Sequence, residues 1–124
     1  NGTSWVPGTV SGSGGSAFSS VNAQTGTTFT PAIGDATTLI TLSNTSAISV
    51  TIPTNASVAY TVGTQLNFLT INTGTVTISA VTPATTTILS TGGTAASPKL
   101  RTQYSMATAI KTATDTWYVI GDIY

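Results

Sequence analysis

Residues 99–124, KLRTQYSMATAIKTATDTWYVIGDIY, decide the fold. Leu100, Tyr104, Met106 and Ile110 share one parity, and Arg101, Gln103, Ser105 and Lys111 share the other. That is the period-two alternation of a half-buried β-strand. Ala107 and Ala109, on the polar parity, are small exceptions. After a polar break at 112–115, a second run at 116–124 places Trp117, Val119 and Ile123 on one face and Tyr118 and Ile120 on the other. Two such runs joined by a short Thr/Asp turn predict an antiparallel hairpin. Its expected core residues are Leu100, Tyr104, Met106, Ile110, Trp117 and Val119, whose bulk would seed the interior.

Outward from this hairpin the chain keeps the same character. Thr is the commonest residue, and Thr, Val and Ile favour strands because a second heavy atom on Cβ restricts χ1. No window shows a helical period. Turn signals separate short strand-like runs at 27–30, 36–43, 47–52, 64–72, 75–80 and 85–90, with Pro31, Pro53 and Pro83 removing ladder donors between them. The parity slips near Phe68, which predicts a bulge or a two-sided burial there. Thr73-Gly74 reads as a hairpin turn, and no fixed internal period stands out. The expectation is an all-β domain at 27–124, an antiparallel β-sandwich or jelly-roll-like barrel of about eight short strands. Residues 1–26, rich in Gly, Ser and Thr, read as an extended N-terminal arm. Its sparse large apolar residues, Trp5, Val10 and Phe18, are candidate anchors onto a partner or onto the domain itself.

Composition excludes much chemistry. The chain has three Lys and Arg against three acidic residues, no His and no Cys. Zero net charge removes the basic footprint that phosphate neutralisation needs, so nucleic acid is not an expected partner. The sequence contains no uninterrupted apolar run near the ~18 residues of a spanning helix, so no membrane partner is expected either. The acids are Asp35 and Asp115, in expected turns where Asp bonds the local backbone, and Asp122, after Gly121 near the chain end; turn formation and a local ion pair with Lys99, Arg101 or Lys111 are their expected roles. A calcium site built from two of them is the alternative. No catalytic set, cofactor or metal is expected. Glycoside hydrolysis usually needs two carboxyl groups about 5–10 Å apart, and these three are scattered in sequence. Trp117, Tyr118 and Tyr124 form a candidate sugar-stacking platform, with core packing as the competing role. Six charged side chains are few for a soluble monomer, which points to surface buried by association with copies of itself.

The ordered motifs Val21-Asn-Ala-Gln-Thr-Gly-Thr-Thr-Phe-Thr30, Gly34-Asp-Ala36, Ala47-Ile-Ser-Val-Thr-Ile-Pro53, Val62-Gly-Thr-Gln-Leu66 and Gly74-Thr-Val-Thr77 carry a resemblance. So do Lys99-Leu-Arg-Thr-Gln-Tyr-Ser105, Ile110-Lys111 and Asp115-Thr-Trp-Tyr-Val-Ile-Gly-Asp122. Together, over residues 21–124, they resemble a β-rich domain that recurs in virion proteins of tailed bacteriophages: tail fibres, head fibres and capsid decoration proteins. The resemblance implies a virion setting and a homotrimer and supplies no catalytic residues; the outer surface of the particle is the expected location. The resulting expectation is a non-enzymatic capsid decoration (cement) or head-fibre protein, held by its arm to the major capsid protein or another virion protein. The alternative is a tail-fibre domain that recognises host surface glycan.

Overall fold

The structure is a computed structural model and describes residues 17–124. The described residues form nine strands: β1 Ser20–Gln24, β2 Thr28–Phe29, β3 Thr38–Leu42, β4 Ile48–Ile52, β5 Gln65–Thr70, β6 Val76–Ala80, β7 Thr87–Ser90, β8 Met106–Ala113 and β9 Thr116–Gly121. A single 3-10 turn, Ile33–Thr37, precedes β3. The strands make a six-stranded sheet in the order β1-β3-β5-β8-β9-β7 and a three-stranded sheet in the order β2-β4-β6.

Strand direction corrects the antiparallel expectation. β1, β3 and β5 run parallel, as do β2, β4 and β6, and β7 runs parallel to β9. Only β5–β8 and β8–β9 are antiparallel. The reason lies in the corners. From β1 to β6 each connection carries the chain from one sheet to the other, so neighbours within a sheet are two strands apart in sequence and run the same way. The intervening strand serves as the long crossover that parallel pairing requires. Thr73-Gly74 is therefore a corner between sheets, and only β8–β9 forms a hairpin.

An internal period does exist. Phe68 lies opposite Ile40 in one sheet and Val76 opposite Ile48 in the other, a constant step of 28 residues (68 − 40 and 76 − 48). The step superposes Ser43-Asn-Thr-Ser-Ala-Ile-Ser-Val-Thr-Ile52 on Ile71-Asn-Thr-Gly-Thr-Val-Thr-Ile-Ser-Ala80. The equivalent asparagines organise the stacked corners. Asn44 Nδ2 donates to the Thr25 carbonyl at 2.8 Å while its Oδ1 accepts from the Ser46 N–H at 2.8 Å. Asn72 Oδ1 accepts from the Thr73 N–H at 2.8 Å. Gly74 N–H donates to the Asn44 carbonyl at 2.9 Å, and a Cβ at Gly74 would collide with the backbone oxygens of Ser46 and Asn44. Glycine is required there for close approach.

The core lies between the sheets. Ile40, Leu42, Leu66, Phe68, Ile88, Trp117 and Val119 of the larger sheet meet Ile48, Val50, Ile52, Val76 and Ile78 of the smaller one, with Leu100 and Tyr60 in the same cluster. β5 alternates without a break, burying Leu66, Phe68 and Thr70 on one face with Asn67 and Leu69 half-buried on the other, so of the two expectations near Phe68 the bulge is absent. The register irregularity falls instead between Lys111 and Ala113.

The hairpin reading is corrected in part. Leu100, Trp117 and Val119 are buried as expected. Tyr104 is 71% exposed, and Met106 and Ile110 are only half-buried, while Ala107, Ala109 and Lys111 face inward. The cause is a reset of parity. Residues 99 and 100 make isolated bridges to β6 and Ile123, and the chain then turns through Tyr104, whose φ of 72° is left-handed, before β8 begins. Small residues face inward on β8 because large ones oppose them: Phe68 faces Ala107, and Ala109 sits between Leu66 and Val119.

The expected arm also needs correction. Ser20–Gln24 is β1, paired in register with β3, and Phe18 just before it is half-buried. Ser19 N–H donates to the Thr37 carbonyl at 2.7 Å and Asn22 Nδ2 to Asp35 at 2.7 Å, so polar residues are held by ladder and side-chain bonds rather than by burial. Trp5 and Val10 lie outside the described residues.

Candidate interaction face and polar clusters

Ladder partners point to the same side of a sheet, so the registers define the outer face of the larger sheet residue by residue. One row across the strands is Val21, Leu39, Asn67, Thr108 and Ile120. Another is Gln65, Ile110, Tyr118 and Leu89. A third joins Ala23, Thr41, Leu69 and Met106. The face is dominated by apolar groups, and no charged side chain lies in these rows. Val21 is 60% exposed, Ile120 55% and Tyr118 45%. An antiparallel sheet with one wet face alternates apolar with polar residues. Here both faces are apolar. The sheet's terminal strand β1 also carries no charge, and charge is a common guard against edge pairing.

The six charged groups sit elsewhere, in three clusters plus Lys99. Arg101 and Asp122 form a two-pronged ion pair, Nε to Oδ1 at 2.6 Å and the second nitrogen to Oδ2 at 2.9 Å. Ser105 Oγ donates to Asp122 Oδ2 at 2.7 Å. The hydrogen bond from Arg101, then that from Ser105, hold the Asp122 carboxyl below its ordinary range, and Asp122 in turn raises the Arg101 guanidinium. Asp35 accepts from the Ala32 N–H at 2.8 Å and from Asn22, stapling the 3-10 turn to β1. Tyr60 donates its hydroxyl to the Ala32 carbonyl at 2.6 Å and meets Trp117 edge-on at 5.5 Å. Burial, and then the nearby Asp35 charge, push the Tyr60 phenol above its ordinary range. In the third cluster Lys111 Nζ donates to Asn55 Oδ1 at 2.6 Å and to the Tyr60 carbonyl at 2.7 Å. Asp115 Oδ1 accepts from the Asn55 N–H at 2.7 Å and from Thr86 Oγ1 at 3.0 Å.

The three aspartates thus sit in separate clusters; only Asp35 bonds the local backbone, while Asp115 and Asp122 accept from donors distant in sequence, and the described residues contain no group of three or more metal-ligating side chains. The expected sugar platform does not assemble: Trp117 is in the core, Tyr118 points to the opposite face of β9, and Tyr124 is exposed at the chain end. Two features escaped the sequence reading. One is the outer face, whose members Met106 and Ile110 were assigned to the core. The other is the Lys111–Asn55 contact, which joins residues far apart in sequence. The apolar residues on both faces of 116–124 were the available signal for the first. No protein-family model matches the chain, and no curated protein matches it.

Proposed function

We propose that the chain is a non-enzymatic structural protein of a bacteriophage virion, a capsid decoration or head-fibre protein. It associates with copies of itself, as a homotrimer, through the outer face of the six-stranded sheet. The virion setting rests on the sequence resemblance. The observation that carries the assembly role is that outer face: a broad, uncharged, largely apolar surface that is costly to leave in water. Two sheets enclosing one core support a sandwich architecture. The parallel, stacked rungs argue against a jelly roll, which is built from antiparallel Greek keys. Attachment to the major capsid protein or another virion protein is assigned to the N-terminal segment, with Trp5, Val10 and Phe18 as anchors.

A second reading, a glycan-recognising fibre domain, is favoured by one feature. An open polar cleft is lined by Thr70, Thr73, Thr75, Arg101, Thr102 and Gln103, the last of these next in sequence to the exposed Tyr104. Hydroxyl, amide and guanidinium groups lining an open cleft suit a sugar. Electron microscopy of the intact particle with this chain located separates the two. Hundreds of copies spread over the capsid support decoration, a handful at a fibre tip supports glycan recognition, and absence from the particle rejects both.

A further inference from the structure

Lys111 is the most deeply buried charged side chain of the described residues, and its hydrogen-bond partners include no opposite charge. It is 2% exposed, and its ammonium has only neutral acceptors, Asn55 Oδ1 and the Tyr60 carbonyl. All three aspartates of the chain are among the described residues, and the only ion pair there is Arg101–Asp122. An unpaired charge held out of water is strongly disfavoured. Its nearest side-chain partner is a carboxamide, a group that an amine converts to a secondary amide with loss of ammonia.

We propose that Lys111 and Asn55 become joined by an intramolecular isopeptide bond. Nζ attacks Asn55 Cγ; the Nζ–Cγ bond forms and the Cγ–Nδ2 bond breaks. Two of the three ammonium protons pass to the departing nitrogen, which leaves as an ammonium ion. Atoms and charge balance with no oxidant or other reagent. The product is a neutral amide, so the interior loses its unpaired cation, and the one remaining N–H can still donate to the Tyr60 carbonyl.

The surroundings favour this step. The two groups are held in contact with the amine buried and the carboxamide half-buried, which replaces an encounter between separate molecules by a fixed approach. Trp117 is the direct ladder partner of Lys111 and packs edge-on against Tyr60, walling the amine from solvent. Asp115 is a positioning residue: by accepting the Asn55 main-chain N–H it fixes the carboxamide over the amine. The link would tie the β4–β5 connection to β8 across 56 residues, in a chain with no cysteine to form a disulfide. It is independent of the virion assignment and of the outer face.

The test is tryptic digestion of the full chain after denaturation, read by mass spectrometry. The expected result is an intact mass lower by one ammonia, no cleavage after Lys111, and a branched peptide containing Asn55 and Lys111. Succinimide formation at Asn1-Gly2 also expels ammonia, so the branched peptide, not the intact mass, decides. Lys111→Arg should restore the full mass and eliminate the branched peptide. Asp115→Asn should lower the fraction of branched peptide formed during refolding, a readout that a purely structural role for Asp115 would leave unchanged. If that variant fails to fold, the wild-type digest still decides. Recovery of a linear Asn55 peptide with cleavage after Lys111 in the wild-type chain would overturn the proposal.

Discussion

The two faces of the six-stranded sheet carry similar side chains under different cover. Inward, Ile40, Leu42, Leu66, Phe68, Trp117 and Val119 are sealed by the three-stranded sheet and its connections. Outward, Val21, Leu69, Ile110, Tyr118 and Ile120 have no layer of the described chain over them. The inner face gives the domain its stability; on the proposed reading, the outer face contributes little to the folded monomer and serves association. Substitutions on the two faces should therefore separate stability from assembly.

The largest effect belongs inside. Trp117→Ala should cost about 3–5 kcal/mol in urea unfolding through the cavity it leaves and the lost contact with Tyr60. A near-neutral result would place the ring outside the core. Ala107→Leu comes next. If Ala107 is small because Phe68 faces it, added bulk should destabilise by about 1–3 kcal/mol; no change in the unfolding midpoint would return Ala107 to the outside. Asn44→Ala removes one donor and one acceptor bond at a stacked corner and should cost about 1–2 kcal/mol, without altering the sedimentation behaviour.

On the outer face, Tyr118→Lys with Ile120→Lys should change the free energy of unfolding of the isolated chain by no more than about 0.5 kcal/mol. The same pair should disrupt association. The smallest effect is electrostatic. Because its partners hold Asp122 below its ordinary range, the Arg101 pair stabilises the fold at neutral pH, and that contribution fades as acidification protonates the carboxyl below about pH 4. Asp122→Asn should remove this part of the acid loss. An acid limb identical to wild type would show that the exposed pair contributes nothing.

Strand content was legible because period-two patterning survives in short Thr-rich runs: 47–52 and 75–80 appear as β4 and β6 almost as read. Direction was not legible. Alternation reports which side chains share a face and carries no information on whether the next strand joins the same sheet or the opposite one. The 28-residue step escaped notice because only two rungs share it, and the corner between β1 and β2 is shorter. The parity of β8 was inverted because extrapolation from Leu100 crossed the left-handed turn at Tyr104, after which alanines, chosen to face Phe68 and Val119, took the buried positions. β1 was invisible for a different reason. Ser20 and Asn22 look like linker, and their order comes from ladder bonds to β3 and from Asp35, a partner that only the fold brings near.

Sedimentation equilibrium of the full chain near neutral pH tests the outer face most directly, with the Tyr118→Lys, Ile120→Lys pair run beside it. The account predicts a homo-oligomer for the wild type, a trimer on the proposed reading, and a folded single chain for the variant. A wild type that sediments as a single chain at every concentration would contradict it.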